Sequence, residues 1–107
     1  MREVEFTNFL DADNTLRVRF ELDHGRVLKF MVQLESRFDE SEVWVSVIRY
    51  NTAHGFAHCD RLHPYDETLK TTLTTSDYNE ALNLALEDLM NNWVAYRRRY
   101  QEWLRQK

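Results

Sequence analysis

A chain of 107 residues with 43% apolar and 13% aromatic residues can bury one hydrophobic core, which argues against both a disordered segment and two domains. Its net charge of -4 excludes a uniformly basic surface, and its single cysteine, Cys59, excludes an internal disulfide. No apolar run approaches the roughly 18 residues of a membrane span, and the N-terminal residues lack the layout of a signal peptide. We therefore expect one cytoplasmic domain over residues 1–107, with no membrane partner.

Apolar and polar residues alternate through the first two thirds of the chain, which is the period of a strand with one buried face. The alternation is clearest on either side of a predicted hairpin turn at Gly25, and the second strand of that hairpin is expected to bury Leu28 with Phe30. The predicted strands span residues 1–10, 15–22, 27–34, 42–50, 55–62 and 68–74. Such an order of hairpins predicts an antiparallel meander of four to six strands within residues 1–74.

The last third of the chain changes to the period of an α-helix. Large apolar residues recur every three or four positions: Leu82, Leu86, Leu89, Trp93, Tyr96, Tyr100 and Trp103. Asp77 offers an N-cap oxygen, and acidic residues precede basic ones along the segment, as the helix dipole favours. The pattern predicts one helix over about residues 76–105 that packs on one face of the sheet, and hence an α+β domain.

This helix is predicted to be longer than the sheet, about 42 Å against about 20 Å for a six-residue strand. Four large rings fall in the overhang, and leaving them in water is costly. We expect Trp93, Tyr96, Tyr100 and Trp103 to pack on a second copy, which makes the chain a homodimer, or on another protein. The alternative is a bend near residues 91–92 that returns the helix to its own core.

Three of the four histidines lie within residues 48–64. On one continuous strand His54 and His58 would point to the same side about 13 Å apart. Imidazoles can donate and accept the protons of a phosphodiester transfer near neutral pH, but only if the loop brings the two rings together. His54 and His58 are therefore the candidate catalytic residues.

In the same hypothesis Arg49 and Arg61 stabilise charge on a phosphate, and Tyr50 orients or stacks a base. The structural alternative is that the histidines are ordinary strand residues, that Arg49 pairs with Asp60, and that Tyr50 belongs to the core. The only local basic surface that the pattern offers is the polar strand face that carries Arg17, Arg19 and Lys29, and scattered solubilising charge is the favoured explanation of that face.

A metal site would have to use His54, His58 and His63 with Asp60 as a fourth ligand. Their spacings match no established zinc motif, and one cysteine is too few for a structural zinc site. We expect no metal and no cofactor. Cys59 is interpreted as a packing residue rather than a nucleophile.

The run Arg49-Tyr50-Asn51-Thr52-Ala53-His54, followed by Phe56 and His58, resembles the Arg-Tyr-Asp-x-Ala-x-His and Phe-Pro-His segment of TumE-like toxins of toxin-antitoxin modules. The order of antiparallel hairpins, histidine-bearing segment and C-terminal helix is similar too. The resemblance implies a small cytosolic protein with a cognate antitoxin as partner and RNA as target. Two hypotheses remain open: a toxin-like, metal-independent ribonuclease, and a non-catalytic homodimeric interaction module whose histidines are structural.

Overall fold

The computed structural model describes residues 1–106 as a six-stranded sheet followed by one helix. The elements are β1 (Arg2–Asp11), β2 (Asn14–Asp23), β3 (Arg26–Ser36), β4 (Val45–Asn51), β5 (His58–Arg61), β6 (Leu69–Thr72) and α1 (Tyr78–Arg105). Each strand pairs antiparallel with the next in the chain, so the spatial order follows the sequence from β1 to β6. The predicted α+β fold, a meander followed by a C-terminal helix, is confirmed.

The hydrophobic core lies between α1 and one face of the sheet, mainly over β3 and β4. Alternate strand residues point into it, as the period of two predicts. The fully buried core side chains include Leu16, Val18, Val32, Leu34, Ile48 and, from the helix, Leu89. Ala81 and Ala85 are also fully buried, and their small side chains let the helix lie close to the sheet. The opposite face of the sheet is polar and carries no helix within residues 1–106.

The strand register predicted for the hairpin of β2 and β3 is wrong at the end next to its turn. Leu28 was expected inside, but the pairing shifts between Glu21 and Leu22, and Leu22 then faces Val27. Val27 is consequently buried, whereas Leu28 is 46% exposed. From Phe30 onward the expected face is buried, because the register is again unbroken. A one-residue slip exchanges the two faces of a strand.

Helix α1 runs through 28 residues without the bend considered near residues 91–92. Asp77 caps it, since its side chain accepts hydrogen bonds from the backbone N–H groups of Asn79 (2.9 Å) and Glu80 (3.3 Å). At 1.5 Å per residue the helix is about 42 Å long, close to the longest dimension of the molecule, 46 Å. No helix within residues 1–106 is both long and apolar enough to cross a membrane.

The four aromatic residues expected to protrude from the helix find cover within their own chain. The Tyr100 ring stacks on Phe38 with centroids 5.5 Å apart, and the Trp103 ring stacks on His63 at 4.5 Å. Trp93 and Tyr96 are half-buried against the core. The physical reason given for a homodimer at these rings therefore does not hold, because the loops after β3 and β5 extend beneath the end of the helix. The homodimer itself stays a prediction.

Candidate functional site

The polar face of the sheet contains a groove with a volume of about 690 Å³, on the side away from α1. We call it the open-face groove and define it by six lining residues: Arg19, Lys29, Arg49, His54, Asp60 and Lys70. These residues come from β2 to β6 and from the turn between β4 and β5. Because the meander places consecutive strands side by side, residues that are far apart in the chain share one surface.

A tight turn after β4 places His54 at this groove. Thr52 is held on β3, because its N–H donates to the Phe30 carbonyl (3.2 Å) and its Oγ1 accepts from the Phe30 N–H (3.0 Å). The Gly55 N–H then donates to the Thr52 carbonyl at 3.2 Å, which closes the turn. His54 and Gly55 both adopt left-handed backbone, with φ of 78° and 82°. The chain therefore leaves the strand direction at His54 and folds back.

The turn brings the two candidate histidines together. The rings of His54 and His58 stack with centroids 6.0 Å apart and 26° between their planes, whereas a continuous strand would separate them by about 13 Å. His58 is only 1% exposed. Its Nδ1 lies 3.2 Å from the carbonyl oxygen of Phe56, and its Nε2 lies 3.5 Å from Oδ2 of Asp60. Both nitrogens of His58 thus face acceptors inside the protein, and His54 is the exposed histidine of the pair.

The carboxylate of Asp60 lies at the centre of the site and is 4% exposed. Its Oδ2 accepts a hydrogen bond from Asn51 Nδ2 at 3.2 Å and lies 3.6 Å from the Arg49 guanidinium. Lys70 Nζ lies 3.8 Å from Oδ1, and no donor within residues 1–106 makes a hydrogen bond to that oxygen. The sequence marks Asp60 only as a metal ligand or an ion-pair partner. Its position two residues after His58, on the same strand face, is the signal for its central role.

The groove carries a local excess of positive charge although the whole chain is acidic. Among residues 1–106, its four cations are Arg19, Lys29, Arg49 and Lys70, and its three carboxylates are Glu3, Glu21 and Asp60. Four against three leaves one positive charge before either histidine is counted, whereas the full chain has a net charge of -4. The polar strand face that carries Arg19 and Lys29 was recognised from the sequence, but Lys70 was not, because its short strand shows no clear alternation.

Two of the predicted substrate contacts, Tyr50 and Arg61, lie on the other face of the sheet. Tyr50 is adjacent to Arg49 on β4 and therefore points the opposite way, into the core, where its hydroxyl donates to Asp88 Oδ2 at 2.7 Å. Arg61 follows Asp60 on β5 and is directed away from the groove for the same reason. The structure thus brings Arg49, His54 and His58 together and separates Tyr50 and Arg61 from them.

Asp88, on helix α1, accepts hydrogen bonds from two tyrosines, Tyr50 and Tyr96, each with its shortest contact at 2.7 Å. Burial first, and then this bond to Asp88, raises the pKa of Tyr50 far above its ordinary range and that of Tyr96 to about 12. Burial also raises the pKa of the nearby Cys59 thiol to about 11. These groups are neutral at physiological pH, and the buried thiol is unsuited to act as a nucleophile.

Within residues 1–106, no group of three or more His, Cys, Asp or Glu side chains is arranged to hold a metal ion. His63 stacks on Trp103 at the end of the helix, and it does not line the groove that contains His54 and His58.

Comparisons with known proteins give one result that applies to almost the whole chain. Neither the curated proteins nor the solved structures contain a match to this sequence or fold. A family model described as a domain of unknown function, DUF7718, matches residues 1–106. The chain, with its meander, its single helix and its open-face groove, therefore belongs to the DUF7718 family.

Proposed function

We propose that the open-face groove binds the phosphodiester backbone of RNA and that the protein is a metal-independent ribonuclease of the toxin type. The observation that carries the proposal is the stacked pair of His54 and His58, at 6.0 Å, in a groove that Arg49 also lines. An imidazole that can exchange protons next to fixed cations is the minimum that phosphodiester transfer requires. The local excess of positive charge in the groove supports the same ligand class.

In the proposed reaction the 2′-hydroxyl oxygen attacks the adjacent phosphorus, and its proton passes to water by way of a carboxylate of the groove. The bond between phosphorus and the 5′-oxygen breaks, and the departing oxygen takes a proton from His54. The products are a 2′,3′-cyclic phosphate and a free 5′-hydroxyl. Arg49 and Lys70 contact the non-bridging oxygens and stabilise the negative charge that develops on them.

His58 has a different part in this proposal from the one that the sequence suggests. Its ring is buried and both its nitrogens face acceptors, so it does not reach the substrate. Asp60 and the Phe56 carbonyl hold the ring in place, and the ring in turn supports His54 by stacking. His58 is thus a positioning residue for His54.

The proposal is tested by incubating the purified protein with RNA and comparing His54→Asn with His24→Asn. Both histidines are exposed and both have positive φ, 78° and 49°, which asparagine tolerates, and asparagine cannot carry the proton. We expect His54→Asn to lower the rate by about 100-fold or more, the usual contribution of an acid-base group. His24 lies in the turn between β2 and β3, outside the groove, and its substitution should leave the rate unchanged. Equal cleavage by all three proteins would identify a contaminating nuclease, and absence of cleavage by the parent would refute the enzyme.

The toxin assignment, the cytoplasmic location and the cognate antitoxin rest on the resemblance of the segment from Arg49 to His58 to TumE-like toxins. Expression of the active protein should then arrest growth, and expression of His54→Asn should not. A short co-transcribed DNA-binding protein encoded beside this chain is the expected antitoxin.

The rival proposal is a non-catalytic homodimeric interaction module. It is favoured by apolar side chains that remain exposed on the helix, Met90 at 45% and Val94 at 50%. These residues, rather than the four covered rings, would then form the contact. A parent protein that leaves RNA intact and has twice the 13.0 kDa chain mass in light scattering would support this rival.

A further inference from the structure

Asp60 carries a buried acceptor atom that the described part of the chain does not satisfy. Its Oδ2 is surrounded by Asn51, His58 and Arg49, whereas Oδ1 has no hydrogen-bond partner within residues 1–106. Lys70 Nζ, at 3.8 Å, is too far away for a hydrogen bond to Oδ1. Buried polar atoms in native proteins nearly always have partners, and leaving one without a partner costs stability. A hydrogen-bond donor on a bound ligand is one group that can supply the missing partner of Oδ1.

The surroundings of Oδ1 restrict what such a ligand can be. A carboxylate accepts hydrogen bonds and repels phosphate, so Oδ1 requires a hydroxyl or amine. Arg49 and Lys70 lie on either side of it and favour an anionic group close by. Lys70 is on the edge strand β6 and its side chain is 42% exposed, so it can move aside from Oδ1 and still reach an anion. The site therefore fits a molecule in which a hydroxyl and a phosphate are neighbours.

We propose that Oδ1 of Asp60 accepts a hydrogen bond from a ribose 2′-hydroxyl and that the open-face groove thereby distinguishes RNA from DNA. The inference rests on the proposed function, since it takes the phosphate of the same ligand to lie at Arg49 and Lys70. The 2′-hydroxyl lies next to the 3′-phosphate on the sugar, and it is the group that separates the two nucleic acids. Asp60 selects the sugar, and the cations bind the backbone of either polymer.

The test measures binding, by fluorescence anisotropy, of three labelled single strands of one sequence: RNA, DNA and 2′-O-methyl RNA. The protein is the His54→Asn variant, so that the RNA stays intact. We expect RNA to bind about tenfold more tightly than DNA, the effect of one hydrogen bond to a charged acceptor. The 2′-O-methyl strand keeps the ribose but has no donor, and it should bind like DNA.

Adding Asp60→Asn should reduce the ratio of RNA to DNA affinity to about one while DNA affinity stays equal or rises, since a negative charge is removed. Glu35→Gln is the matched control, because Glu35 lies on the same sheet face outside the groove and loses the same charge. It should leave the ratio unchanged.

The outcomes separate this inference from the proposed function. Equal binding of RNA and DNA, or binding of the 2′-O-methyl strand as tight as that of RNA, overturns the role of Asp60 and leaves phosphate binding intact. If none of the three nucleic acids binds, both this inference and the proposed function are overturned. The comparison of RNA, DNA and 2′-O-methyl RNA uses a protein with Asp60 unchanged. It therefore tests the selection of RNA over DNA even if Asp60→Asn fails to fold.

Discussion

The left-handed backbone at His54 is the single-residue feature on which the site depends. Residues other than glycine rarely adopt a φ of 78°, and they keep this backbone conformation where surrounding bonds hold them in place. Here the hydrogen bonds between Thr52 and Phe30 and between Gly55 and Thr52 do so. Without that turn, the His54 ring would continue along the strand away from His58.

At the same scale, we expect the free energy of unfolding to fall as pH rises from about 9 to about 11. Burial raises the pKa of Cys59 from its ordinary value of 9.0 to about 11, so in this range the unfolded thiol loses its proton while the folded thiol keeps it. The stabilisation is complete below pH 9 and is lost as pH rises through the folded pKa. One proton corresponds to at most about 1.4 kcal/mol per pH unit.

Urea unfolding of the parent and of Cys59→Ala at several pH values measures this effect. The variant should show a shallower decline, and the decline that remains above pH 10 belongs to Tyr50, Tyr96 and Tyr100, whose pKa values are also raised. A parent whose stability is constant between pH 9 and pH 11 would contradict the prediction.

At the scale of the elements, the spacing of apolar residues and the helix N-cap were sufficient to predict the helix and the order of the strands. The leucine stripe and the Asp77 cap place α1 within two residues of its observed ends, Tyr78 and Arg105. Periodicity could not predict the register shift that exposes Leu28, since alternation assumes an unbroken pairing. It left a break between the strands at residues 51–54, but it could not predict that the turn there brings His54 onto His58, because this conformation depends on hydrogen bonds to the neighbouring strand β3.

The sheet face on which Arg61 lies, in contrast, could be predicted from the sequence. Alternation along β5 already separates Arg61 from His58 and Asp60, which makes it a poor partner for them. The central role of Asp60 needed the structure, because it depends on residues from β4 and β6 that only the folded sheet brings together.

The helix offers a matched pair of substitutions that tests its packing. Leu89 is fully buried in the core and Leu84, on the same helix, is 43% exposed. Leu89→Ala should lower the free energy of unfolding by about 2–5 kcal/mol, because it leaves a cavity, and Leu84→Ala should change it by less than about 1 kcal/mol. Chemical denaturation measures both. Similar losses for the two variants would show that the helix face is assigned incorrectly.

For the whole molecule, net charge and local charge have opposite signs. The chain repels polyanions at long range, whereas the groove attracts them at short range. Binding should therefore depend on the few cations of the groove and should be slow to begin at low ionic strength, where long-range repulsion is least screened.

This opposition predicts a shallow salt dependence of RNA binding. With two to four phosphates neutralised, the logarithm of affinity should fall with the logarithm of salt concentration with a slope of about -1.4 to -2.8. Lys70→Gln should reduce the slope by about 0.7. Arg98→Gln removes the same charge from an exposed position on the helix and should leave the slope unchanged. Titrations of RNA at four salt concentrations measure the slopes, and a similar reduction by both variants would argue against a localised site.

Because α1 and the groove occupy opposite sides of one sheet, they are separated by a full layer of backbone. A biotin or dye attached to the outward side of the helix, for example at position 98, is therefore kept away from the groove. The protein can be anchored to a sensor surface through its helix with the groove turned towards the solution. Libraries of small oligonucleotides can then be screened on the immobilised protein without steric interference from the support.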